Sequence, residues 1–206
     1  MLNKLKTLSK VVRHQSDIRA LVQNYFLFAE HADKTAYGSI SLEDEKGIER
    51  GIELAANNPG PIIEIGTLFG HTTNLIATKK ATEKPLIAVE NYIWNPFQLP
   101  KGAHKMYLHR TLRYVMDHAN VSIAETDAAN FYRENPTLKP SMIFIDAEHD
   151  YHSVKRDIDW AKSVGCEVIA GHDYLPLHPG VVKAVSEAFG KEIEVYGSVW
   201  LHHARG

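Results

Sequence analysis

The sequence predicts an α/β fold: a doubly wound, Rossmann-like, mostly parallel seven-stranded sheet with an antiparallel edge strand, preceded by N-terminal helices. Three observations carry this. Short apolar runs rich in β-branched residues alternate with amphipathic helical stretches between Pro61 and Phe189. Strands separated by helices imply parallel pairing through right-handed crossovers. The last two apolar runs, near 191–196 and 198–203, are joined only by Tyr196-Gly197-Ser198, which leaves no room for a helix and so predicts an antiparallel pair at the edge.

Taken in order, residues 16–33 and 42–57 read as helices. The second opens on Ser41-Leu42-Glu43-Asp44, a capping-box pattern, and closes on Asn57-Asn58-Pro59-Gly60. Strand 61–65 follows, then helix 71–81, strand 85–90, helix 104–118, strand 121–124 and a short helix 127–134. The chain continues with strand 141–146, helix 151–163, strand 166–170 and helix 179–189. Residues 1–58 are thus a helical lead-in and 59–206 the catalytic, ligand-binding domain, the whole forming one compact domain, as 206 residues that are 44% hydrophobic allow.

Charge and composition narrow the function classes. The formal charge is −2, with no basic run in the body of the chain, which gives a nucleic-acid partner no electrostatic support. One cysteine, Cys166, excludes an intrachain disulfide and a thiolate metal cluster, and reads as a buried structural residue. Lys4, Lys6, Lys10 and Arg13 alternate with Leu2, Leu5, Leu8 and Val12, the spacing of a short amphipathic helix. No apolar stretch there is long enough for a signal peptide or a membrane span, so a cytoplasmic location is expected.

The run from Pro61 to Thr73 is the most informative. Four apolar residues surround Glu64 and feed Gly66-Thr67-Leu68-Phe69-Gly70, a strand-to-helix turn with glycines where a Cβ would obstruct a ligand, followed by His71-Thr72-Thr73 and the free N–H groups of a helix start. The spacing lacks the third glycine of a dinucleotide fingerprint and the Lys-Ser/Thr ending of a phosphate loop, so a polyphosphate is not the expected guest. Glu90 ends the next strand, where a carboxylate can accept both hydroxyls of a ribose. Asp127-Ala128 follows the third strand, a position that suits a ligand contact or a plain helix N-cap.

Two further strands end in polar clusters: Met142-Ile143-Phe144-Ile145 runs into Asp146-Ala147-Glu148-His149-Asp150-Tyr151, and Val168-Ile169-Ala170 into Gly171-His172-Asp173-Tyr174. Adjacent parallel strands would bring Asp146, His149, His172 and Asp173 to one rim, where converging titratable groups are costly unless they bind a ligand or move protons. His14, His31, His104, His109, His118, His202 and His203 lie outside these motifs and read mostly as surface residues. Tyr92, Trp94 and Phe97, in the loop 91–103, suit either a ligand cover or loop anchoring, and that loop is the expected determinant of substrate choice.

The glycine turn resembles motif I of class I S-adenosylmethionine-dependent methyltransferases. The segments 142–151 and 168–174, with Val154-Lys155-Arg156-Asp157-Ile158-Asp159-Trp160 and Gly180-Val181-Val182-Lys183-Ala184-Val185, resemble methyltransferase family 24, which includes macrocin-type sugar O-methyltransferases; the resemblance covers about residues 45–203. It implies S-adenosylmethionine held by Glu64, Gly66, Thr67, Gly70, Thr72, Glu90, Asp127, Ala128 and Asp146, and methyl transfer to a small-molecule hydroxyl. From the related metal-dependent O-methyltransferases it implies a divalent cation at Asp146, His172 and Asp173. His172 stands where a carboxylate is usual, a departure that disfavours magnesium and suits manganese, iron or zinc. Asp146 and Asp173 serve equally as orienters of His149 or His172 acting as general base. A homodimer is a candidate assembly. A metal-dependent, hydroxylase-type enzyme on the same scaffold and a non-catalytic cofactor-binding protein stay open as alternatives.

Overall fold

A computed structural model describes Val12 and residues 40–204. The expected helix 16–33 and the basic N-terminal segment otherwise lie outside the described residues.

Seven strands form one sheet in the order β3-β2-β1-β4-β5-β7-β6. Strands β1 (Ile62–Ile65), β2 (Leu86–Val89), β3 (Val121–Ala124), β4 (Met142–Ile145) and β5 (Val168–Gly171) are mutually parallel. The closing hairpin, β6 (Glu194–Tyr196) and β7 (Val199–His203), adds the antiparallel pairings. The reversed strand β7 lies against β5, and β6 forms the rim, so the edge expected from the sequence is a hairpin that folds its second strand inward. Every residue of β1, β4 and β5 is buried, as strands covered on both faces require.

Alternation along each strand sorts the core into two layers. Ile62, Leu86, Met142 and Phe144 face one side with α1 (Leu42–Ala55), α2 (His71–Lys79) and α3 (Lys101–His118), which contribute Ile48, Ile76, Leu108 and Leu112. Ile63, Ile65, Ile143 and Ile169 face the other, under α4 (Ala128–Glu134), α5 (Tyr151–Ser163) and α6 (Pro179–Phe189), which contribute Phe131, Val154, Ile158 and Val185. Helix α3 begins at Lys101, directly after Pro100, a turn earlier than the apolar spacing suggests. Cys166 is buried and free, as expected.

Helix α1 begins with the expected capping box, in which Ser41 Oγ accepts the Asp44 N–H and the Asp44 carboxylate accepts the Ser41 N–H at 2.8 Å. It packs on the sheet against β4, β5, β6 and β7. The described part of the helical lead-in therefore belongs to the same body as the strands. Gly47 and Gly51 make the approach close, since a Cβ on either would run into Val199 and Tyr196 or into Met142.

Candidate active site

The carboxyl ends of the parallel strands open onto a cavity of about 730 Å³, the position where doubly wound sheets hold their ligands. Its floor is the turn after β1. Gly66 has φ 88°, and a Cβ there would overlap the backbone of Asp146 and Ala147. What the missing side chain permits is therefore the contact between the β1 and β4 turns. Gly70, also left-handed, precedes α2 and faces Leu108 and Leu112 of α3. Gly66, Thr67 and Thr72 lie on the cavity wall, whereas Glu64 and Gly70 stand behind it.

Glu64 is fully buried, and its carboxylate accepts the Thr73 hydroxyl while its Oε1 has no partner. Burial, reinforced by the charges of Asp146 and Glu90, pushes its pKa up to about 8, so Glu64 is an uncharged acid at neutral pH. His71, on the wall at the start of α2, is driven down to about 4 by burial and is a neutral imidazole.

Glu90 closes β2 and ties the glycine turn down. Its Oε2 accepts the N–H groups of Thr67 at 3.1 Å and Leu68 at 2.8 Å, and its Oε1 accepts that of Tyr92 at 2.7 Å. A carboxylate offers about four lone-pair sites. Glu90 therefore keeps one acceptor position for a ligand hydroxyl, fewer than the pair the sequence suggested. His104 holds the same turn from the other side: it is completely buried, with Nε2 2.6 Å from the Leu68 carbonyl and its ring against Phe69 and Tyr92. The reading of His104 as a surface residue is corrected by this. Tyr92 and Phe97 are likewise core residues, and only Trp94 of that aromatic set, with Ile93, stands exposed at the cavity mouth.

Asp127 is an N-cap that also lies on the cavity wall. It caps α4 by accepting the Asn130 N–H at 2.8 Å, and Ala128 lines the cavity with it. Arg156, which the sequence did not single out, reaches the same wall from α5 and pairs at 2.9 Å with the buried Asp157.

The polar clusters after β4 and β5 meet as expected. His172 Nδ1 lies 3.5 Å from Asp146 and 3.7 Å from Asp173, and His149 Nε2 lies 2.7 Å from Asp173. Asp173 takes a left-handed backbone, φ 60°, unusual for a residue with a Cβ and a kind of strain that concentrates at functional sites. Two residues invisible to the motif reading complete the cluster. His172 Nε2 is 2.8 Å from Ser198 Oγ and 3.7 Å from Asp44, and Ser198 donates both its N–H and its hydroxyl to Asp44.

The charges follow from this geometry. Burial acts to lower the His172 pKa, but Asp146 and Asp44 outweigh it and hold the group up to about 10. Both ring nitrogens are committed to partners, so in the cation-free protein His172 is a fixed imidazolium and not a free base. Burial raises Asp146, while Asp173 is held low because His149, His172 and His178 overcome its burial. Asp173 in turn raises His149 above its ordinary value, and His149 lies on the cavity wall with its ring half-exposed. Both candidate bases line the cavity, but His172 has both ring nitrogens committed, whereas His149 is the more exposed and is held by a single carboxylate, Asp173, at one nitrogen.

The donor atoms of Asp146, His172 and Asp173 lie within 4.8 Å of one another. Two carboxylates and an imidazole fit a divalent cation of the manganese, iron or zinc kind. The Ser198 and Asp44 contacts behind His172 are of the type that orients a metal-bound imidazole.

No protein-family model matches the sequence, and no curated protein sequence matches it. Solved structures do match the fold. The calicheamicin methyltransferase CalS11 superposes with a TM-score of 0.67 at 14% identity, over 98% of this chain and 93% of that one. An O-methyltransferase from Bacillus cereus, solved with SAH, gives 0.60 at 15% identity, over 90% and 89%. The O-methyltransferase TomG from Streptomyces achromogenes, involved in tomaymycin synthesis and solved with SAM, gives 0.61 at 16% identity, over 91% and 90%. The chain has the fold of the class I S-adenosylmethionine-dependent O-methyltransferases.

Proposed function

We propose that the protein is a methyltransferase that moves the sulfonium methyl group of S-adenosylmethionine to a hydroxyl oxygen of a small molecule. The observation that carries this reading is that one cavity joins the Gly66 turn, Glu90 and Asp127 on one side to Asp146, His149, His172 and Asp173 on the other. Its volume is in the range of cavities that hold drug-sized ligands. The acceptor position left on Glu90 suits a ribose hydroxyl, the wall at Asp127 and Ala128 suits the adenine, and the Gly66–Thr67 turn with Thr72 suits the amino-acid end.

S-adenosylmethionine supplies an electrophilic methyl group, so the chain itself has three tasks. The turn and Glu90 fix the donor's orientation. Asp173 holds the His149 ring, and His149 takes the acceptor's proton as the oxygen–methyl bond forms and the sulfur–methyl bond breaks. His172, anchored by Ser198 and Asp44, keeps Asp146 and Asp173 in place. A divalent cation held by Asp146, His172 and Asp173 would make the acceptor hydroxyl more acidic. Exposed Ile93 and Trp94 at the mouth suit an acceptor with an apolar face.

Incubation with methyl-labelled S-adenosylmethionine and a panel of sugar and phenol hydroxyl acceptors tests the reading. Label transfer to oxygen with stoichiometric S-adenosylhomocysteine is expected, and a His149→Gln variant should be slower by about 10²–10⁴-fold. Oxygen-dependent conversion of an acceptor without methyl transfer would support the hydroxylase-type reading instead.

A further inference from the structure

His178 lies outside every motif read from the sequence, yet its Nε2 is 3.7 Å from Asp173 Oδ1, while His149 Nε2 is 2.7 Å from Oδ2 of the same carboxylate. The two imidazole rings lie against each other with centroids 4.4 Å apart. One donor atom from each of the three residues falls within a 4.8 Å span. We infer that His149, Asp173 and His178 form a binding site for a divalent cation of the imidazole-preferring class, of which zinc is the representative, which shares Asp173 with the Asp146–His172–Asp173 group but takes its two imidazoles from His149 and His178.

The fold brings these three side chains together before any ion arrives. His149 sits on the loop after β4, Asp173 on the loop after β5, and His178 immediately before α6. Gly180, in the first turn of α6, packs so closely on the backbone of His149, Asp150 and Tyr151 that a Cβ there would overlap it. Lys183 lies over the Tyr151 ring at 4.4 Å, and Tyr151 donates to Glu187 at 2.6 Å, which fastens α6 to the start of α5. The Asp173 carboxylate presents one oxygen to each histidine. A site held this rigidly loses little conformational entropy on taking up an ion.

The donor set selects the ion. Two imidazoles and one carboxylate suit zinc, iron, nickel or copper, and are a poor match for magnesium or calcium, which take oxygen shells. All three residues line the cavity, so coordination positions remain for water or an acceptor oxygen. The His149 nitrogen beside Asp173 is Nε2; an ion bound there would replace the hydrogen bond to Asp173 and leave the ring's proton on Nδ1, the nitrogen that would otherwise accept, so zinc would slow methyl transfer. That consequence rests on the proposed function, whereas the site itself does not.

Titration of the metal-free, untagged protein with Zn²⁺ by calorimetry, and with Co²⁺ followed by its visible absorption, tests the proposal. One ion per chain is expected, with affinity reduced at least about tenfold, 1.4 kcal/mol, in both His178→Ala and His149→Ala. Asp146→Asn and His172→Gln should retain uptake. Wild-type affinity in either histidine-to-alanine variant, or no saturable uptake by the wild type, overturns the site; circular dichroism confirms that each variant is folded. Inhibition is read against each variant's own metal-free rate, and zinc should slow the wild type but not His178→Ala. Zinc that binds as expected without slowing the wild type would leave the site standing and remove His149 as the base.

Discussion

The carboxylate of Asp44, near the start of α1, accepts both the backbone N–H of Ser198 at 2.6 Å and its hydroxyl at 2.9 Å, across 154 positions of sequence. The same hydroxyl meets His172 Nε2 at 2.8 Å. Through this relay the helical lead-in reaches the candidate active site. Gly197 completes the fit, because a Cβ there would crowd the Asp44 carboxylate.

Removing Asp44 should therefore cost more than a helix cap. A lost cap accounts for about 1 kcal/mol, and removing the acceptor of both Ser198 donors together with one of the three carboxylates around the buried His172 adds about 1–3 kcal/mol. Ser198→Ala should lose only about 1 kcal/mol. Urea unfolding of Asp44→Ala and Ser198→Ala is the check. Equal losses in the two variants would show that Asp44 acts as a cap alone.

Glycine substitutions separate close approach from plain flexibility. Gly66→Ala combines a left-handed backbone with overlap of the Asp146–Ala147 main chain, and a loss of about 2–5 kcal/mol is expected from strain and overpacking. Gly102→Ala, in the first turn of α3, has nothing within 4 Å of the added Cβ. It should gain about 0.5 kcal/mol through a stiffer unfolded chain. Thermal melts of both variants test the contrast, and a neutral Gly66→Ala would contradict the packing described for the turn.

Glu64 gives the protein a pH signature. Its folded pKa of about 8 lies above the unfolded value of 4.5, so between these limits the native state holds a proton that the unfolded chain has released. Its contribution to stability is complete below about pH 4.5 and is lost as pH rises through about 8, with a limiting slope of about 1.4 kcal/mol per pH unit. Glu64→Gln keeps an acceptor for Thr73 and removes the proton. Denaturant unfolding at pH 6.5 and 8.5 should show a larger drop for the wild type than for Glu64→Gln. Parallel drops would mean that Glu64 is ionised in the fold.

Most of the described architecture was legible because the central strands are apolar runs bounded by turn residues and most helices have a one-sided apolar pattern. Boundaries moved where local signals were weak, as at Lys101, where α3 starts directly after a proline. The position of β7 inside β6 was not legible, since Tyr196-Gly197-Ser198 specifies a hairpin without saying which strand pairs with β5. Within the site, residues at strand ends announced themselves: Glu90, Asp146 and Asp173 follow apolar runs. Asp44, Ser198 and His178 did not, because their meaning lies in contacts between distant segments, and Asp44 already had a local explanation as the capping-box acid. His104 was hidden by a helix otherwise rich in polar residues.

A cavity beside Gly66 and Glu90 that holds S-adenosylmethionine should also take up S-adenosylhomocysteine, which calorimetric titration measures. Three proteins suffice: the wild type, Glu90→Ala and Ala128→Trp, the last placing a large side chain on the cavity wall. One site per chain is expected in the wild type, and an affinity lower by about 1–3 kcal/mol in Glu90→Ala. No measurable binding is expected in Ala128→Trp, with all three proteins folded by circular dichroism. Absence of binding to the wild type, or equal affinity in all three, would contradict this assignment of the cavity.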